Sequence, residues 1–261
     1  LMDDRLNIIL SPHFDDAVFS LGGLIGTAPE RAIIVTVFTG TPADGIVGRW
    51  DRRSGFKSAA EAMRARALEN AAALAVFKVA PRAIVNLDFL DRQYRPDKAP
   101  AAGLQAAIAK TVRQFGDRHS GPVNVFAPAS AWHPDHRLVA DAVIELWEAR
   151  ELPDADVFLY QDQPYAYLEL RRRTLAPLRF AKFAMAQNLR GVAAQPHWLE
   201  FDEVTAIKKQ TAARRYKSQF PIVRPLLLKM IDDFSRYQAR AAGLSSRYAE
   251  IAYRLAAPPH S

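Results

Sequence analysis

The stretch Ser11-Pro-His-Phe-Asp-Asp16 sets one imidazole and two adjacent carboxylates within four residues, directly after the apolar run Leu6–Leu10. A turn needs Gly, Asn or Pro, and it gains nothing from neighbouring acids that repel when both are ionised. Either a cation sits there, or these are solvated loop groups. A second polar cluster, Trp132-His-Pro-Asp-His136, follows another apolar run, Val123–Phe126, about 120 residues further on. Of the six histidines, three (His13, His133 and His136) fall in these two stretches. One such cluster is readily explained as hydrogen-bonded loop residues. Two of them, each at the end of a buried strand, point to the halves of one metal site.

The chain has no cysteine, which excludes a disulfide framework, a thiolate site and a Cys nucleophile. Any metal must be held by His, Asp or Glu. Two imidazoles and one carboxylate suffice for a catalytic zinc with an open fourth position. His13, Asp16 and His136 are the candidate ligands, for one zinc ion per chain. Zinc lowers the pKa of water from ~15.7 toward ~7, and a base must still collect the proton. Asp15 follows a different backbone direction from Asp16 and is the candidate base. His133 is expected to stabilise an oxyanion and protonate a leaving amine, and Asp135 to orient an imidazole. Arg66, Trp50, Arg95 and Trp132 are the candidate substrate contacts. Guanidinium groups suit a phosphate or carboxylate, and indoles suit a sugar ring. Surface solvation competes for each arginine, and core or lid packing for each tryptophan. Tyr160, Asp162 and Tyr165 follow a strand and could reach substrate from the same rim.

The elements that must position these groups alternate. Strands are expected over 6–10, 31–38, 83–90, 122–127 and 155–160, and helices over 17–26, 58–78, 101–115 and 137–150. That order implies an α/β chain with a mostly parallel sheet and helices on both faces. Carboxyl ends of parallel strands share one rim, so the two clusters can meet there. Helical segments over 204–218 and 225–239 read as a C-terminal extension on the same domain. One domain is expected over 1–261, with its core at about 6–160.

Hydrophobic residues make up 49% and charged residues 24%, which fits a folded globular chain and argues against general disorder. No apolar run approaches the ~18 residues of a membrane helix. The N-terminal run is a poor secretory segment, so a cytoplasmic location is expected. The net charge of +7 is scattered and carries no nucleic-acid recognition motif, so an anionic small substrate is preferred to nucleic acid. Neither G-x-G-x-x-G nor G-x-S-x-G occurs, which disfavours a dinucleotide cofactor and a serine hydrolase.

Together, "SPHFDD" and "HPDH" resemble the paired motifs of the PIG-L/LmbE-like zinc N-deacetylase family (N-acetylglucosaminyl deacetylase-like). Arg66-Ala-Leu-Glu69, Lys209, Ser218-Gln219, Trp50–Phe56 and Leu87–Arg95 add to the resemblance, which spans roughly 6–220. It implies a Rossmann-like sheet and hydrolysis of the acetamide of an N-acetylated amino sugar or glycoconjugate. It also implies zinc on His13, Asp16 and His136, with Asp15 as base. Four positions depart from the family: Ala17 stands for a common Glu, Phe14 for Pro, Ala131 for a Tyr that some members carry, and Tyr216 for a common His. Two other readings stay open. One is a metal-dependent amidase or phosphoesterase on a sugar conjugate, and the other a non-catalytic glycan- or lipid-binding module. Neither the substrate nor the oligomeric state is written in the sequence.

Overall fold

The computed structural model describes residues 4–95, 102–129, 133–152, 154–167, 192–219 and 224–256. Five parallel strands form most of the sheet: β1 (Leu6–Ser11), β2 (Ala32–Thr36), β3 (Ile84–Asn86), β4 (Val123–Pro128) and β5 (Ala155–Tyr160). Two more strands, β6 (Ala194–Phe201) and β7 (Tyr248–Leu255), complete it in the order β3-β2-β1-β4-β5-β7-β6. Every residue of β1, β2 and β4 is buried, as expected for strands covered on both faces. The chain adds β2 and β3 on one side of β1, then crosses back to add β4 and β5 on the other. The β1–β4 pair is therefore the topological switch point, where an open α/β sheet leaves a crevice beyond its carboxyl ends.

Among the described residues the α-helices are α1 (Asp16–Thr27), α2 (Arg49–Arg53), α3 (Ala59–Phe77), α4 (Leu104–Gly116), α5 (Pro134–Glu148), α6 (Glu203–Ala213) and α7 (Arg224–Ala241). Both α1 and α5 begin immediately after the polar clusters that follow β1 and β4. The expected helical extension is there in α6 and α7, but it is not purely helical. β6 and β7 pair antiparallel over eight residues and extend the main sheet through β5. Pro196 and four exposed or half-exposed residues at its start hide β6, while Ala and Glu dilute the apolar signal of β7. β3 is also shorter than the expected 83–90: Pro81–Ala83 forms a 3-10 turn before it, and past Asn86 the chain leaves the strand, with Asp88 at φ 58°.

A kink at Leu21 interrupts α1. The freed amides of Gly23 and Leu24 donate to the Glu250 carboxylate from β7, at 2.7 and 3.0 Å. Lys209 of α6 pairs with the same carboxylate at 2.7 Å, and both residues are buried. A Cβ on Gly23 would lie 2.3 Å from the Phe201 ring, so this close approach needs glycine. Removing Glu250 leaves a buried ammonium and two amides without their acceptor. Glu250→Ala is expected to cost about 3–5 kcal/mol of stability, read from the midpoint and slope of urea unfolding; a loss below ~1 kcal/mol would refute this account. The second tie is a clamp of α3 on the turn after α6: Glu69 accepts from the Ser218 amide at 3.0 Å and its hydroxyl at 2.7 Å, and Tyr216 donates to Asn70 at 2.8 Å. Lys209, Glu69 and Ser218 thus hold elements together.

Candidate metal centre and active site

The loop after β1 is tightly scripted. Ser11 Oγ donates to the His13 carbonyl and accepts from the Ala17 amide, while the His13 amide donates to Asp16 Oδ2 at 2.7 Å. This turns His13 and Asp16 toward the same point. Beyond β4, Pro134 occupies the first turn of α5 and His133 caps it, its Nδ1 accepting from the Asp135 amide at 3.3 Å. His136, on the next residues of that turn, is fully buried.

The two loops converge. His136 Nε2 lies 3.2 Å from His13 Nδ1 and 3.2 Å from Asp16 Oδ2, and His13 Nδ1 lies 3.3 Å from Asp16 Oδ2. A tetrahedral ion with bonds of ~2.0–2.1 Å requires ligand atoms about 3.3–3.4 Å apart, so this triangle has the size zinc demands. The far nitrogen of each imidazole is taken by a carboxylate. His13 Nε2 faces Asp135 Oδ2 at 3.2 Å, and His136 Nδ1 faces Asp162 Oδ2 at 3.0 Å. Those partners select the tautomers that present His13 Nδ1 and His136 Nε2 to the triangle. Two other donor groupings are geometrically close, His13 with His133 and His136, and His13 with Asp91 and Asp135. The first draws on His133, whose Nδ1 is already used in capping α5, and the second would use the nitrogen of His13 that points away from the triangle.

Imidazoles and carboxylates balance one another's charge in the site. Burial alone would raise the Asp16 carboxyl, but the imidazoles of His136 and His13 overcome it and hold the group well below the carboxylate range. Burial would lower His136, and Asp16 and Asp162 instead lift it to about 10. His13 is held well above its ordinary value by Asp135 and Asp16 against the same burial. For Asp135, burial is outweighed by His13, the Arg92 amide and Arg95, which bring it to about 2. Asp15 behaves oppositely: burial, then the charge of Asp16, push it to about 7. His133 falls to about 3 through burial and the neighbouring His13 and His136 charges, so it is neutral at physiological pH. With Nδ1 serving as an acceptor, its proton is on Nε2. Asp15 caps α1 without a side-chain capping bond and is almost fully buried beside Asp16.

The structure thus brings together His13, Asp15, Asp16, His133, Asp135 and His136. The expected substrate contacts fare differently. Arg66 is buried in an ion pair with Asp51 at 2.8 Å, with its guanidinium 5.9 Å from the Phe56 ring. Arg95 is spent on Asp135, the Leu90 carbonyl and the face of Phe38. Each guanidinium lies beside a buried carboxylate, which competes with any ligand. Trp50 is half-buried, with the Arg53 guanidinium 6.0 Å over its ring, and its backbone amide donates to Gln93 at 3.3 Å. Trp132 and Ala131 lie outside the described residues. Asp162 orients His136 instead of standing at the rim for substrate, and Tyr165 packs its ring 5.6 Å from that of His136. Asp91, 3.8 Å from His13 Nε2, was not picked out from sequence as a site residue; its signal was its place in "LDFLDRQYR", just after a strand.

The family described as PIG-L, GlcNAc-PI de-N-acetylase, matches residues 8–147, which include both polar clusters. The 2'-N-acetylparomamine deacetylase of Streptomyces fradiae is 30% identical over 166 residues, 61% of this chain. The match spans 57%, a little over half, of that relative's length. Among solved structures, the A40926 pseudoaglycone deacetylase Dbv21 superposes with a TM-score of 0.76 at 24% identity, covering 99% of this chain and 100% of that one. The zinc-inhibited form of teicoplanin deacetylase Orf2 gives a TM-score of 0.72 at 21% identity, over 98% of this chain and 99% of that one. At such identities the structural likeness is one of fold.

Proposed function

The chain belongs to the PIG-L family, described as GlcNAc-PI de-N-acetylase, and from that premise we propose that it is a zinc-dependent hydrolase removing the N-acetyl group of an amino sugar or sugar conjugate. The observation that carries this reading is the triangle of His13 Nδ1, Asp16 Oδ2 and His136 Nε2, with the unliganded Asp15 carboxylate next to it. One zinc ion per chain would be held by those three atoms. When bound, it supplies Lewis acidity that polarises an amide carbonyl and makes water acidic near neutral pH.

The protein groups do the rest. Asp15, raised by burial, collects the proton of the attacking water at its carboxylate. His133, neutral with its proton on Nε2, donates to the oxyanion as the carbonyl becomes tetrahedral. His133 gives its proton to the departing amine nitrogen and the proton collected by Asp15 replaces it, so the sugar leaves as a free amine and the acyl group as acetate. Asp135 and Asp162 keep the ligand imidazoles in register through the exchange. A non-catalytic glycan- or lipid-binding module would have no use for Asp15 in this place.

The test is acetate release from 2'-N-acetylparomamine, from the A40926 pseudoaglycone and from simple N-acetylhexosamines. The Streptomyces fradiae relative is named for the first and a structural neighbour for the second. Turnover is expected to vanish with a chelator and return with one equivalent of zinc. No acetate from any class with zinc-loaded protein would overturn the proposal.

A metal titration gives a further expected result. In the metal-free protein His13 and His136 hold protons above neutral pH, His136 to about 10. Both must be neutral to ligate, so zinc added at pH 7 displaces protons and binds more tightly as pH rises. Proton release into weak buffer, and a zinc dissociation constant that falls between pH 6 and 8, are the readouts. A constant independent of pH over that interval would exclude these imidazoles as ligands.

A further inference from the structure

We propose that Arg95 is a positioning residue of the metal centre, acting through Asp135, and not a contact for substrate; this rests on the metal reading above. The Asp135 carboxylate is fully buried and has three donors. Oδ2 accepts from His13 Nε2 at 3.2 Å and from the Arg92 amide at 3.0 Å, and Oδ1 accepts from Arg95 Nη2. The two oxygens are thus pulled in different directions, which fixes the rotation of the carboxylate about its own bond. Without Arg95, Oδ1 has no donor among the described residues. The group can then turn, and His13 loses the partner that keeps its proton on Nε2. A proton shifted to Nδ1 would occupy the atom that faces Asp16 and His136.

Arg95 is built for this one task. Nη1 donates to the Leu90 carbonyl at 3.3 Å, and the guanidinium lies 5.1 Å over Phe38, whose ring is 5.9 Å from that of His13. Its side chain is only 9% exposed, so it does not swing to the rim. The turn that carries it is seated in the core. Tyr94 donates to Asp51 Oδ2 at 2.7 Å, and Asp51, with no exposed surface, is paired with Arg66 at 2.8 Å and bonded by the Gly48 amide at 2.8 Å. A continuous path therefore runs from α3 through Asp51 and the 92–95 turn to Asp135 and the ligand His13.

The test measures the zinc dissociation constant by chelator competition for wild type, Arg95→Met, Arg95→Lys, Asp135→Asn and the Arg95→Met/Asp135→Asn double variant. Thermal midpoints of the metal-free proteins run alongside, and KM is taken at saturating zinc. Arg95→Met is expected to weaken zinc about 10–100-fold, the usual cost of losing an outer-shell partner. Arg95→Lys should recover part of that loss, and it serves alone if the Met variant fails to fold. Arg95→Met should add nothing on the Asp135→Asn background, and KM should stay at the wild-type value. Unchanged zinc affinity with a raised KM would overturn the inference, because the guanidinium would then meet substrate. Additive effects in the double variant would overturn it too. A wild type that fails to bind zinc overturns the metal reading and this inference together, whereas tight wild-type binding with unaltered variants overturns this inference alone.

Discussion

Asp15→Asn is expected to retain its zinc and its fold and to lose about 10²–10⁴ in kcat, the range spanned by general acid–base catalysis. The amide keeps the volume of the carboxylate and can still hydrogen-bond water, but it cannot hold the proton. That loss corresponds to about 3–5 kcal/mol of transition-state stabilisation. The metal should stay because none of the three converging donor atoms belongs to Asp15. Removing a buried acid raised by its surroundings to about 7 also relieves the metal-free protein of an ionisation that the site resists. By linkage, the wild-type carboxyl favours the folded state below its unfolded pKa of 3.8 and loses that advantage as pH rises toward 7. The variant should therefore be no less stable than wild type at pH 8. Metal content by elemental analysis, kcat on the best substrate and a thermal melt decide the matter. An Asn variant with kcat within tenfold of wild type would remove Asp15 from the mechanism.

His136→Ala is expected to fail at the step before chemistry. It deletes one corner of the donor triangle and leaves Asp16 and Asp162, both buried, without the imidazole between them. Zinc affinity should drop by more than the ~10–100-fold that an outer-shell change costs. Activity should be absent at equimolar zinc. Buried like charges left unpaired also destabilise, by several kcal/mol, so the melt should fall as well. The contrast is diagnostic: the Asp15 variant is loaded and inert, and the His136 variant is empty. A His136→Ala protein that purifies with full zinc would place the metal elsewhere.

Much of the architecture was legible because it depends on local pattern. β1, β2 and β4 are mostly apolar runs, broken only by Asn7 and Asn124 near their starts, and each polar cluster stands where such a run stops. Parallel pairing then obliges both clusters to share a rim, so His13 and His136 could be matched across 123 positions without coordinates. What stayed hidden depends on distant partners. Nothing near Arg66 in sequence says that Asp51 faces it, or that Asp135 faces Arg95. Read one at a time, surface solvation was the expected reading for both arginines, with Arg66 the better candidate for substrate contact. Asp162 and Asp91 were hidden for the same reason, since each acquires its role from a histidine elsewhere in the chain. β6 and β7 were missed because an antiparallel edge pair is held by its partner's register, and proline and charge weaken its own pattern.

The small size of the donor triangle bears on which ions the protein can tell apart. Edges of 3.2–3.3 Å suit short bonds. On the proposed reading, calcium, with bonds of about 2.3–2.6 Å and six to eight oxygen ligands, would be turned away by radius and by the two nitrogens. Magnesium, which favours an octahedral oxygen shell, would be turned away by donor type. Cobalt and nickel would meet no such barrier, and the Irving–Williams order gives copper the advantage over zinc at comparable nitrogen sites. Discrimination among late first-row cations would then fall to the supply of free metal, with the occupant chosen before it meets this triangle.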